Sequence, residues 1–232
     1  MYAKSKLIEK QISNQSYNEL FGFFDFHPTK RTECHELLKM QVTGGYSSGP
    51  TRLITPKTGT DKCWFITSGI IIAIEKYKEK ETVLLLFSAG DLAILPETFF
   101  NNQEPHCTLI ACPDTHFIEI SRHTIIQLQG LMPDPIAITN KMTCAPYKNY
   151  REKIELMSMP GIDSILEFHH RYPQVKGPGK KIEMQDNHQA SFLGMNEDTF
   201  CRLKKKIPSF QAKFPQISIT FNFFWETLAG IF

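Results

Sequence analysis

The chain lacks any long hydrophobic run. In its 232 residues no apolar stretch exceeds five, the length of Ile70 to Ile74, whereas a membrane-spanning helix needs about 20. Residues 1–10 are charged and amphipathic, without the apolar stretch of a signal peptide. The expectation is a cytoplasmic protein with no membrane partner. The six cysteines (Cys34, Cys63, Cys107, Cys112, Cys144, Cys201) include no C-x-x-C pair. That argues against a zinc ribbon or a thioredoxin-type centre, and in the cytoplasm the thiols are expected to be reduced. There is no H-x-H pair, no phosphate-cradling glycine loop, no internal repeat and no low-complexity tract. No catalytic residue, metal site or cofactor is therefore expected, and the chain is not expected to be an enzyme.

The charge that is present is unevenly spread. Twenty-six Lys and Arg face 24 Asp and Glu, a net of +2. Arg171 to Phe214 alone holds nine basic and four acidic residues, a net of +5, which leaves −3 for the rest. A basic segment on a faintly acidic body points to a partner, such as nucleic acid, that meets one region only.

Apolar runs at Cys63–Thr67, Ile70–Ile74, Thr82–Phe87, Cys107–Ala111 and Thr115–Ile120 are separated by turn signals at Ser68-Gly69, Ser88–Asp91 and Pro113-Asp114. Short strands so spaced predict a β-sandwich or barrel. Helical spacing is expected over residues 4–24 and in a turn at Glu33–Met40, whereas 44–60 reads as loop. Ser121 is placed to cap a helix ending at Gly130. Residues 135–159 are weakly helical with Pro146 as an interruption, and a better helix spans 163–171. After a basic turn at 174–181, two short helices are predicted at about 186–193 and 197–206. Ile217, Ile219, Phe221 and Phe223 alternate like a strand in an aromatic tail.

The most specific segment is Gln185 to Lys206. Gly194 supplies a residue able to take a left-handed backbone between two short helices. Ala190, four residues earlier, is small enough for a close crossing. Phe200 and Leu203 supply apolar anchors from the second helix. Together these offsets fit a DNA-binding helix-turn-helix. Asp198, Thr199 and Arg202 then lie near the start of the reading helix, where side chains reach base edges. Lys204, Lys205 and Lys206 near its end are suited to phosphates.

Cys63 to Gly69, Phe87 to Asp91 and Ala190 to Arg202 together resemble the Crp/Fnr family of transcription regulators, most of all its Bacteroidetes-type members. The resemblance covers roughly residues 60–206. It implies an α+β chain: an N-terminal β jelly roll of the cyclic-nucleotide-binding kind with N-terminal helices over 1–130, a dimerisation helix over 131–160 kinked at its prolines, and a C-terminal winged helix-turn-helix over 161–232. It also implies double-stranded DNA and a second copy of the chain as partners. The ligand positions depart from the family. Leu92 to Pro96 stands where the Gly-Glu pair is expected, and Glu104 to Thr108 carries no phosphate-binding Arg. An anion in a barrel needs a fixed cation or donors, so neither cAMP nor cGMP is expected to bind. An unknown effector would meet Ile94, Leu95, His106, Cys107 and Thr108, with Phe99 and Phe100 adding apolar lining. The rival reading is a ligand- or protein-interaction module on the same jelly roll that does not bind DNA.

Overall fold

The computed structural model describes residues 7–26, 32–56, 58, 60–78, 80–176 and 184–207. The strand-like tail at 217–223, and with it the expected wing, lies outside them, as do residues 177–181 of the basic turn.

Among the described residues nine strands form two antiparallel sheets. The first sheet runs in the order β1 (Leu7–Glu9), β2 (Thr43–Ser47), β9 (Thr115–Ser121), β4 (Lys62–Ser68), β7 (Leu92–Ala93). The second runs β3 (Thr51–Ile54), β8 (Thr108–Ala111), β5 (Ile70–Tyr77), β6 (Lys80–Ser88). Their facing sides enclose Ile54, Trp64, Ile66, Ile71, Ala73, Phe87, Leu109 and Phe117. This is the jelly roll expected from the sequence.

Both sheets are also covered on their outer faces, which explains why the strands read as unbroken apolar runs rather than alternating ones. Helices α1 (Asn14–Phe23), α2 (Thr32–Gln41), α3 (Pro96–Asn101), α4 (Arg122–Gly130) and the start of α5 (Pro135–Ser158) close over the first sheet. Leu20, Leu38, Phe99, Leu128 and Met142 meet Phe65, Ile118 and Ile120 there. Over the second sheet lie α6 (Gly161–Arg171), a 3₁₀ turn at Pro173–Lys176, α7 (Asp186–Phe192) and α8 (Glu197–Lys206). Ile70, Ile72, Ile74, Val83, Leu86 and Ile110 share one core with Phe168, Tyr172, Phe192, Leu193 and Phe200.

Three local expectations change. Residues 44–60 are not all loop, because β2 and β3 fall within them. Gly44 and Gly45 sit in β2 because a Cβ there would lie 2.2 Å from the Lys10 carbonyl oxygen and 2.3 Å from the Phe117 ring. Leu7 and Ile8 belong to an edge strand paired to Ser47 and Tyr46, not to a helix over 4–24. The third change concerns Pro146, which does not interrupt α5: the helix is assigned continuously for 24 residues. Proline removes one amide donor, but the rest of the ladder and the packing of Ile138, Met142, Lys153 and Leu156 hold the helix on both sides. Elsewhere the agreement is close. Ser121 Oγ accepts from the Thr124 amide at the head of α4.

Phe168 is fully buried at the meeting of α6, α7 and the second sheet. Phe168→Ala is expected to lower unfolding stability by about 3–5 kcal/mol, read as a fall in the urea midpoint.

Candidate nucleic-acid interface and cavity

The α7–turn–α8 unit is built as its residue types require. Gly194 has φ +67°, and the Met195 amide donates back to the Ala190 carbonyl at 2.8 Å. Ala190 is buried among Phe192, Leu193 and Phe200. Asn196 caps α8 by accepting from the Asp198 amide at 3.0 Å. Phe200 is buried and Leu203 half-buried, while Asp198, Arg202, Lys205 and Lys206 are exposed and Thr199 is half-exposed. The Lys204 ammonium pairs with Asp186 at 2.6 Å and so ties α8 to α7. Arg171, counted in the basic segment, is neutralised by Glu155 and Glu167 at 3.0 and 2.8 Å. Among the described residues Arg202, Lys205 and Lys206 have no ion-pair partner.

This unit is bonded to the roll at one irregular point. The β5–β6 register shifts between Ala73 and Ile74, so that Ile74 faces Val83, Ala73 faces Leu85, and Leu84 is the extra residue of a bulge. The bulge re-aims the strand: Val83 and Leu86 join the core under the helices, and Leu84 and Leu85 turn to the other side. Both backbone groups of Val83 find side-chain partners. Its amide donates to Ser191 Oγ of α7 at 2.9 Å, and its carbonyl accepts from the buried Lys153 ammonium of α5 at 2.7 Å. The ammonium also lies 5.7 Å from the Phe192 ring centroid. Burial lowers the Lys153 pKa. Beside this point His188 of α7 stands 3.5 Å from Glu81 of β6.

On the far side of the bulge is a cavity of about 530 Å³. Ala73, Leu84, Leu85, Ile94, Leu95 and Cys107 form its inner wall. Thr143, Pro146, Tyr147 and Tyr150 of α5 close it, and Glu97 and His106 stand at its mouth. Burial pushes the Cys107 thiol up to about 12, so it remains a neutral wall group. Cys112 faces the other core, and its thiol is also pushed up to about 12. Among the described residues no cluster of three His, Cys, Asp or Glu side chains is arranged to hold a metal.

Solved structures share this architecture. A protein described as a Crp/Fnr-family transcriptional regulator from Eubacterium rectale aligns with a TM-score of 0.59 at 14% identity, over 80% of this chain and 87% of its own. FixK2 from Bradyrhizobium japonicum gives 0.55 at 13%, over 72% and 83%. The regulator CLP of Xanthomonas campestris, described as responsive to c-di-GMP, gives 0.53 at 19%, over 75% and 90%. The fold is that of the Crp/Fnr regulators. No protein-family model matches the sequence, and no curated protein does.

Within this Crp/Fnr fold, four of the five expected effector positions (Ile94, Leu95, His106, Cys107) line the cavity, and Thr108 does not. Phe99 and Phe100 lie instead with the helices over the first sheet. Sequence reasoning missed Lys153 and Ser191, whose partners are backbone atoms of a bulge. It also missed a seam on α5. Ile136, Asn140, Thr143, Tyr147, Tyr150, Ile154 and Met157 alternate by four and three residues and stand largely exposed, opposite the buried stripe of Ile138, Met142, Asn149, Lys153 and Leu156. The spacing was legible, but Pro146 was read as a break within it.

Between the lowered folded-state pKa of Lys153 and its unfolded value, the folded chain holds this proton less than the unfolded chain does. Stability therefore rises with pH between the lowered value and about 10.4. The wild type is expected to gain stability relative to Lys153→Met as pH rises through the alkaline range toward about 10.4. Paired urea titrations across that range check this, and a constant difference would contradict the buried charge.

Proposed function

We propose that the chain is a transcription regulator that binds double-stranded DNA as a homodimer and whose jelly roll takes no cyclic nucleotide. The carrying observation is the outer face of α8. Arg202, Lys205 and Lys206 project from it without ion-pair partners among the described residues, on a unit fixed by a shared core. Asp198, Thr199 and Arg202 are assigned to base edges, with Arg202 suited to a guanine. Lys205 and Lys206 are assigned to phosphates. Lys204 joins them only by exchanging Asp186, so its first role in this reading is to hold α7 against α8. Neighbours of the same fold are described as a global regulator and as a Crp/Fnr-family transcriptional regulator, which supports the same reading here.

The proposed division is a jelly roll with its helices over 1–130, a dimerisation helix over 131–160 and a DNA-binding unit over 161–232. Pairing is assigned to the α5 seam, whose four-three spacing is that of a two-stranded coiled coil with polar positions at Asn140 and Thr143. The absence of cyclic nucleotide binding rests on the cavity wall, where no Lys or Arg is found among the described lining residues.

Selection from a random duplex pool, followed by gel-shift titration at several salt concentrations, tests the DNA reading. Replacing Lys205 and Lys206 with Ala is expected to flatten the log K against log salt slope by about 2. Arg202→Ala is expected to cost about 1–3 kcal/mol at one base position of the enriched sequence. If no duplex is retained at about 50 mM salt, the interaction-module reading replaces this one. Sedimentation checks the pairing: the wild type is expected as a dimer, and the double change Tyr147→Asp, Ile154→Asp as a monomer.

A further inference from the structure

The cavity behind the β6 bulge has a charge pattern that selects a ligand class. Its inner wall is aliphatic, formed by Leu84, Leu85, Ile94 and Leu95 with Ala73 at its base. Among the described residues no lysine or arginine lines it, and the one carboxylate at the mouth is Glu97. A buried anion without a fixed cation pays a large desolvation cost, and Glu97 adds repulsion. At about 530 Å³ the space falls in the ~300–1,000 Å³ range of small-molecule sites.

The closing wall is aromatic. Tyr147 and Tyr150 are 68% and 55% exposed in the single chain, although each borders the cavity. Two phenol rings bordering an aliphatic floor offer aromatic contact surface to a ligand with rings of its own. Glu97 and His106 at the mouth suit one hydrogen-bonding group at the ligand's outer end. His106 is itself exposed, so it meets water as well as the ligand and fixes no strong charge in the interior.

We propose that this cavity binds an uncharged aromatic molecule carrying one polar group, oriented with its rings against Leu84, Leu85 and the two tyrosines and its polar end at Glu97 and His106. The proposal rests on the regulator reading only in calling such a molecule the effector. The binding itself is tested without DNA, so failure of one is distinguishable from failure of the other.

The test uses two dyes that share one aromatic frame. N-phenyl-1-naphthylamine is neutral, and 8-anilino-1-naphthalenesulfonate carries a sulfonate on the same rings. Fluorescence titration of the full chain is expected to give one neutral dye per chain, bound at least ten-fold more tightly than the sulfonate. Leu84→Lys places a cation in the wall and is expected to narrow that preference at least ten-fold. Ala73→Phe fills the floor and is expected to weaken the neutral dye at least ten-fold. Should Ala73→Phe fail to fold, the half-buried Leu84 position decides. The proposal is overturned if the neutral dye does not bind, if the sulfonate, cAMP or cyclic di-GMP binds the wild type as tightly, or if Leu84→Lys leaves the preference unchanged.

Discussion

Two hydrogen bonds at Val83 tie the roll to the long helix and to the helix-turn-helix. Val83 lies on β6, an edge strand of its sheet, beside the bulge at Leu84, and its amide and carbonyl bond to helices rather than to a further strand. Ser191 on α7 accepts from one, and Lys153 on α5 donates to the other. A backbone group left without a partner in this setting costs about 1–3 kcal/mol, so the bulge, the long helix and the helix-turn-helix specify one another. The same irregularity decides which leucines face which side. Val83 and Leu86 go to the core beneath the helices, and Leu84 and Leu85 go to the cavity. One displaced residue thus separates the wall of the cavity from a floor that carries the helix-turn-helix.

The second sheet is a shared partition rather than an outer wall. Ile71 and Ala73 pack inward on the first sheet, and Ile70, Ile72 and Ile74 pack outward on α6, α7 and α8. A strand buried on both faces has no polar stripe to alternate. The five-residue run at Ile70 was accordingly readable as a strand but not as an interface. On the outer face of α8, by contrast, Arg202, Lys205 and Lys206 have no ion-pair partner among the described residues, whereas Lys204 and Arg171 are already neutralised.

What could be read from the sequence was local. The offsets of Ala190, Gly194, Phe200 and Leu203 encode a turn and a crossing within fifteen residues, and the structure forms both. The strands from Cys63 to Ile120 were found because each is a compact apolar run bounded by turn residues. What escaped depends on neighbours distant in the chain. Gly44 and Gly45 look like loop residues until Lys10 and Phe117 press on them. Leu7 and Ile8 look helical until β2 offers an edge. Pro146 looks like a stop until packing on both sides carries the helix through. Lys153 looks like one more solvated charge, because nothing in its own neighbourhood announces a bulge seventy residues earlier. The cavity was partly legible: Ile94, Leu95, His106 and Cys107 follow from the family resemblance of their stretches, whereas Tyr147 and Tyr150 come from a different element.

Tyr147 and Tyr150 belong to two surfaces at once, the wall of the cavity and the exposed seam of α5. Under the proposed pairing, a molecule in the cavity and a second copy of the chain would contact the same two rings. Thermodynamic reciprocity requires that whatever a bound molecule does to the free energy of pairing, pairing does equally to that molecule's affinity. The apparent affinity for a small molecule then depends on how much of the chain is present, and a cell could tune the response through abundance alone.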